Sequence, residues 1–506
     1  MTEKQNGTTA SAGAADTSET PSGATATHPR TPRNGLDRFF HITERGSTVG
    51  TEVRAGVVTF FAMAYIIILN PLILGTGADA DGTVLGVNRV AAATALVAGV
   101  MTILFGVIAK YPFGIAAGLG LNTLVAVTLV GGHGLTWPEA MGLVVIEGVI
   151  IVLLAISGFR QAVFTAIPQS MKAAMSVGIG AFIAMIGMVN GGLVTRVPDA
   201  AMTTVPVGLG VNGSISTWPT VVFILGLILC AVAVIRNIPG GLFLAIVVTT
   251  VIAVIVEAVV GLGSSAENPG GWGLAVPGMP DSLGGAPDLS IVGQVDLIGA
   301  FTRIGVLATS LLVFTLLLAN FFDAMGTMTG LGKQAGLSDK DGNLPGMRNA
   351  LVIEGLGAAA GGLGSASSAT VYADSSAGIA DGARTGLANV VTGVLFLLAM
   401  FFTPLYEIVP IEAAAPVLVI VGAMMMAGVV DVDWTKFYIA LPAFLTIVAM
   451  PFTYSIANGI GIGFIAFTVC YVIAGKAKDV HWIMWLVSLL FVVFFAIDPI
   501  TTALGL

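Results

Sequence analysis

The chain has 506 residues, of which 56% are apolar and only 9% charged, with a mean hydropathy of +0.97. A soluble domain carries about 25% charged residues, so this composition excludes a water-solvated globule and demands lipid as solvent. The net charge of −8 names no partner, because most acids lie in tails and loops, and no basic block points to nucleic acid.

Residues 1–35 are rich in Thr, Ser, Ala, Gly and Pro and lack the apolar core of a signal peptide. They read as a disordered tail on the cytoplasmic side. The stretch "NGLDRFFHITERGSTVGTEVR" that follows suits a short amphipathic helix on the membrane surface. Apolar runs then recur. The first half gives 53–74, 89–109, 112–131, 138–158, 172–192, 217–235 and 239–261. The second half gives 303–331, 347–363, 370–382, 385–405, 413–430, 438–454 and 456–475, with a last run at 481–500. The break "MPFTYSIANG" (450–459) either separates two spans or interrupts one. Cys230 and Cys470 sit within these runs and form neither a disulfide framework nor a metal motif, and no cofactor signature is present.

With a cytoplasmic tail and alternating spans, all 20 Lys and Arg residues fall inside except Arg89, Arg196 and Arg303. That is the positive-inside pattern. The loops 193–216 and 262–302 then lie outside.

Two runs are unlike the rest. The third, "YPFGIAAGLGLNTLVAVTLVGG", opens on Pro112 and is crowded with Gly114, Gly118 and Gly120. The tenth, "SATVYADSSAG" (368–378), follows a Gly/Ser-rich stretch. Irregular backbone at membrane depth survives only where protein or a water-filled cavity surrounds it. Each is third in its set of seven, and an odd repeat length turns the second copy upside down. Paired breaks at matching positions point to a transporter's binding site; other small-residue pairs read as ordinary helix packing.

Acids within spans are Glu147, Glu257, Asp323, Glu354, Asp374 and Asp498. An ionised group at mid-membrane costs at least about 2.5–3.5 kcal/mol, so such groups face a bundle interior or a cavity. Glu257 and Asp498 lie near span ends and are expected to be wetted. Glu147 and Glu354 are expected to be structural acids or secondary proton sites. Asp323 and Asp374 have no Lys, Arg or His near them in sequence. If they approach each other they titrate as a pair and share a proton, and a carboxylate also accepts the paired N–H groups of a flat heterocycle. No histidine lies in the body of a span, so a Ser/His intramembrane protease lacks its base. An aspartyl protease has its two acids here, but so many spans with matched breaks exceed that chemistry, and no enzyme is expected.

The stretches "GTEVRAGVVTFFAMAYIIILNPLIL" (50–74), "GLGLN" (118–122), "NFFDAMGTMTG" (320–330), "YADSSAGIADGARTGL" (372–387) and "PAFLTIVAMPFTYSIANGI" (442–460) resemble the AzgA-like purine permeases. These belong to the nucleobase–cation symporters, with the xanthine and uracil permeases. The resemblance implies an all-α polytopic membrane protein of two inverted seven-span repeats, 36–261 and 303–506. Spans one to four and eight to eleven would form a core domain, and five to seven and twelve to fourteen a gate domain. Broken segments three and ten would each carry a short strand. It implies uptake of a purine base (adenine, guanine or hypoxanthine) with a proton, or sodium in its place, across a bacterial-type cell membrane. A homodimer is a further expectation, although the sequence specifies no interface. By motif position the family's substrate acids fall on Asp323 and Asp374, and its third-segment asparagine on Asn122. The family usually has Glu where this chain has Asp374, one methylene shorter.

On this reading Asp323 and Asp374 accept purine N–H groups and carry the proton, with Glu354 and Glu147 secondary. Asn122 offers donor and acceptor. Backbone at Gly118, Gly120, Thr370 and Val371 contacts the base, and Tyr65, Tyr372, Phe321 or Phe322 stacks on it. The alternative is the same architecture carrying xanthine, uracil or an organic anion; two acids at the site repel an anion.

Overall fold

The computed structural model describes residues 35–496 apart from 158–166, 197–206, 212, 274, 280–281, 283, 338–343 and 407. The expected tail at 1–34, several counted cations (Lys4, Arg30, Arg33, Arg160 and Lys340) and Asp498 lie outside the described residues. Eight helices among those described are long and apolar enough to cross a membrane, and five shorter apolar helices accompany them.

The first repeat begins with α1 (Gly35–Phe40), a six-residue surface helix with Leu36 and Phe39 exposed and Phe40 buried. Span one is α2 (Val49–Met63) followed by α3 (Ile66–Leu74). Thr48 fixes its start by accepting from Thr51 N at 3.2 Å. Span two is α4 (Val87–Leu104), which ends in a π-turn segment, Phe105–Ala109. Span three is β1 (Ile115–Ala117), α5 (Leu119–Thr123) and a π-helical stretch Leu124–Gly132. Then come α6 (Trp137–Ser157), α7 (Gln169–Asn190), α8 (Trp218–Ile235) and α9 (Gly241–Val260). Between α7 and α8 a ribbon, β2 (Val194–Arg196) with β3 (Val207–Leu209), stands where only a loop was expected.

The second repeat starts with α10 (Gly299–Arg303) and α11 (Val306–Gln334). One continuous run was expected from 303; the break at Gly305 (φ +84°) separates them. Next are α12 (Met347–Leu363), β4 (Ala369–Val371), α13 (Ser375–Ala380), α14 (Gly386–Ala399) and α15 (Ile411–Met425). The "MPFTYSIANG" break separates two helices, α16 (Phe437–Phe452) and α17 (Ile456–Ile473). Tyr454 is left-handed (φ +52°) and the Ser455 hydroxyl accepts from Asn458 N at 3.3 Å, so one helix stops and the next is capped. A further helix, α18 (Trp482–Phe495), packs on α17 through Ser488 and Thr468, 2.6 Å apart.

The packing repeats itself after seven spans. Span two (α4) lies on span eleven (α14) as span nine (α12) lies on span four (α6). Span one packs on eleven as eight packs on four, six on seven as thirteen on fourteen, and six on twelve as thirteen on five. Spans five and twelve, α7 and α15, face each other across the centre of this relation. Their backbones touch at Gly180 and Gly422: a Cβ at Gly180 would sit 2.8 Å from the Gly422 carbonyl oxygen. Such close approach replaces hydrophobic driving force with packing in a membrane. Contacts link spans one, two, four, eight, nine and eleven to one another, and five, six, seven, twelve, thirteen and fourteen to one another.

Candidate substrate cavity

Segments three and ten meet as two extended backbones. β1 and β4 pair antiparallel, with Ile115 opposite Val371, Ala116 opposite Thr370 and Ala117 opposite Ala369. Around this three-residue ladder, Gly118 N donates to Ser368 O (3.0 Å) and Tyr372 N to Gly114 O (2.9 Å). Side chains from neighbouring spans meet the backbone groups left over. Asn389 Nδ2 donates to Phe113 O (2.6 Å), Asn70 Nδ2 to Ala366 O (3.0 Å), and Ser375 Oγ accepts from Gly114 N (2.9 Å). Thr102 Oγ1 lies 2.9 Å from both the N and the O of Ile115. In lipid every such group must be satisfied internally, so the buried Asn70, Thr102 and Asn389 allow a non-helical crossing at this depth.

Each strand runs into a short helix whose N-cap position faces the same space. Gly118 precedes α5 and Asp374 precedes α13, and both line a cavity of about 340 Å³. That volume lies within the range of small-molecule sites. Gly120, Thr370, Val371, Tyr65 and Tyr372 also line it, and Asp323 projects from α11 on the facing side. Asp323 and Asp374 are half-buried.

Tyr65 sits at the tightened turn between α2 and α3, 1% exposed, and its hydroxyl donates to Asp374 Oδ2 at 3.0 Å. The Tyr372 hydroxyl donates to Ala117 O at 2.9 Å, tying segment ten back to β1. The two rings lie 6.2 Å apart at 45°. Gly118, expected to contact a base through its backbone, lines the cavity, and its N–H is used in the crossing.

Other expected residues stand away from the cavity wall. Asn122 is fully buried in α5, and neither of its amide atoms has a partner among the described residues. Glu147 knits three spans together: Asn320 Nδ2 donates to its Oε1 (2.7 Å) and to Ser368 Oγ (3.0 Å), and Ser368 Oγ donates to the same carboxylate oxygen (3.2 Å). Asn320 is three residues before Asp323 on α11, so this buried network holds the helix that carries the acid. Glu354 is fully buried within electrostatic reach of Asp323. Phe321 is fully buried, and the side chain of Phe322 lies outside the described residues. Glu257, expected to be wetted near a span end, is part-exposed, and it also anchors the loop after α9: it accepts from Leu262 N, Gly263 N and Trp272 Nε1 at 2.8–3.1 Å.

The far wall was missed in the sequence. Ser176, Ile179 and Ile183 of α7 and Val421, Met424 and Met425 of α15 close the cavity. The available signal was the repeat itself, since spans five and twelve occupy matching positions. A larger space of about 680 Å³ shares Asp323, Thr327, Ser176 and Met425 with the cavity and continues past Gln169, Lys172 and Asp431. The cavity therefore opens toward the end of the molecule at which α11 finishes and α7 begins.

The Permease family profile, that of the xanthine/uracil permeases, matches residues 50–462. The guanine/hypoxanthine permease PbuG of Bacillus subtilis (strain 168) is 37% identical over 466 residues, covering 91% of this chain and 99% of that protein. The adenine permease AdeQ of Escherichia coli (strain K12) is 35% identical, covering 90% of this chain and 95% of its own length. Among solved structures, the transmembrane domain of the cyanobacterial bicarbonate transporter BicA superposes with a TM-score of 0.56 at 15% identity, covering 81% of this chain and 97% of that one, which is a likeness of fold. The chain belongs to the Permease family of membrane transporters, in the AzgA-like branch that its motifs resemble.

Proposed function

We propose that this protein is a secondary active transporter that imports a purine base together with a proton across the cell membrane. The observation that carries the reading is that one cavity brings together Asp323, Asp374, Tyr65 and Tyr372, with α7 and α15 as its far wall. The relatives PbuG and AdeQ, by their names, carry guanine, hypoxanthine or adenine. A flat heterocycle with N–H groups suits two carboxylates and two aromatic rings; an anion would be repelled.

In this mechanism Asp323 and Asp374 accept N–H groups of the base, and a proton on one of them removes a buried charge as the base enters. The short helices after Gly118 and Asp374 direct the positive ends of their dipoles at the site. Spans one to four and eight to eleven act as the core and spans five to seven and twelve to fourteen as the gate. Movement of one against the other exposes the cavity to each side in turn. With the tail cytoplasmic, the present opening faces inward. A base with the wrong edge leaves the acids unpaired and is rejected.

The test is uptake by cells lacking their own purine carriers. Labelled adenine, guanine or hypoxanthine should enter faster at acid than at alkaline external pH and stop entering with a protonophore. No uptake of any base by correctly inserted protein rejects the proposal.

A further inference from the structure

A second cavity reaches Asp374 from behind. It has a volume of about 330 Å³ and shares only Asp374 and Met424 with the substrate cavity. Its roof is the turn between α8 and α9, Asn237 to Gly240, which sits directly on span one: a Cβ on Gly240 would lie 2.7 Å from Phe61 Cβ. Its floor is the face of α13 that carries Ser376, Ala377 and Ala380. Of its lining residues Asn237, Gln334 and Ala380 are exposed and Ser376, Ala377 and Asp374 half-buried, and Asp374 is also shared with the substrate cavity. Gln334 Nε2 donates to Ser376 O at 3.3 Å across it.

The route past Asp323 is different. It runs through Ser176, Thr327 and Met425 to Lys172 and Asp431, none of which touches the second cavity. Both spaces open at the end where α11 finishes, since Gln334 is that helix's last residue and Asp381, next to Ala380, pairs with Arg54 near the start of α2 at 2.7 Å. Asp374 thus stands between two spaces of similar volume, the substrate cavity on one side and a polar-mouthed cavity on the other.

We propose that the second cavity is a water-filled proton path to Asp374, separate from the path of the base. A cavity of this size with Asn, Gln, Ser and Asp side chains has both the room and the polar partners that water needs. In the step itself the Asp374 O–H bond breaks, its proton passes to a water in this cavity to give hydronium, and the carboxylate left behind keeps the Tyr65 hydroxyl bond. The bound base need not leave first, because it occupies the substrate cavity on the other side of Asp374. The inference rests on the purine-transport reading.

The test uses full-length protein in which Cys230 and Cys470 are replaced by Ala, reconstituted in liposomes. Single cysteines are introduced as Ala377→Cys and Ser176→Cys and treated with a charged methanethiosulfonate. We expect saturating hypoxanthine to slow modification of Ser176→Cys at least tenfold and to leave that of Ala377→Cys within about twofold. Modified Ala377→Cys should keep hypoxanthine exchange at zero gradient within about twofold and lose accumulation driven by a pH gradient. The proposal is overturned if Ala377→Cys resists the reagent with and without base, if hypoxanthine protects both sites alike, or if modification stops exchange and accumulation together. Absence of base transport by the cysteine-free parent, where the unaltered protein also transports none, removes the purine reading and this inference with it. Transport with any of the three overturning patterns removes the inference alone.

Discussion

The Tyr65 hydroxyl donates to Asp374 Oδ2 at 3.0 Å, joining span one to segment ten inside the cavity. A hydrogen bond to a charged acceptor is worth about 1.5–3 kcal/mol. Tyr65→Phe should therefore raise the KM for purine uptake about 10- to 100-fold with little change in surface expression. An unchanged KM would show that Asp374 is held by other contacts.

Asp374→Glu adds one methylene beside the same tyrosine. The cavity has room for it, so uptake should persist while the ratio of guanine to hypoxanthine transport changes. Competition between the two labelled bases measures this, and complete loss of transport would mean that the site is built around the shorter acid.

Met424 closes the cavity on the gate side and also borders the second one. Met424→Trp should fill space needed by the base. Uptake should fall at least tenfold while the protein still elutes as a single folded species in detergent. Normal uptake would place the base elsewhere.

The breaks in spans three and ten were legible because Pro112, Gly114, Gly118 and the serines before Ala369 make poor membrane helix. Their register was not, since Ile115 opposite Val371 depends on Asn70, Thr102 and Asn389, three polar side chains on other spans whose partners no local pattern reveals. Asp323 and Asp374 announced themselves as acids in apolar runs. The turn at Ala64–Tyr65 did not, because every residue around it is apolar or aromatic and the hydropathy never falls. The Ile and Met wall of α7 and α15 drew no notice for the same reason: nothing in hydropathy sets these side chains apart from the rest of their spans. Glu147 read as a structural acid or secondary proton site, and its bonds to Asn320 and Ser368 show what it holds.

That network gives a stability prediction. Asn320→Ala removes a 2.7 Å bond to a fully buried carboxylate. Loss of a buried partner of a charged group costs about 1–3 kcal/mol or more, so the thermal midpoint in detergent should drop measurably. Ser368→Ala, which leaves that 2.7 Å bond in place and removes the longer 3.0 and 3.2 Å contacts of the Ser368 hydroxyl, should drop it less. The reverse order would contradict the geometry.

Gly422 allows α15 to touch α7; a Cβ there would meet Ala184 Cβ at 2.7 Å. Overpacking of this kind costs about 1–3 kcal/mol. Gly422→Leu should lower the thermal midpoint and the folded yield, whereas Gly278→Ala, with open space around it, should leave both unchanged.

The most direct test of the account is accumulation of labelled hypoxanthine or adenine by the purified protein in liposomes under an imposed inward proton gradient, compared with Asp323→Asn. The account predicts uphill accumulation by the unaltered protein, collapse with a protonophore, and loss of at least 100-fold in the variant. Equal accumulation by Asp323→Asn, or none by either protein under a gradient, would contradict it.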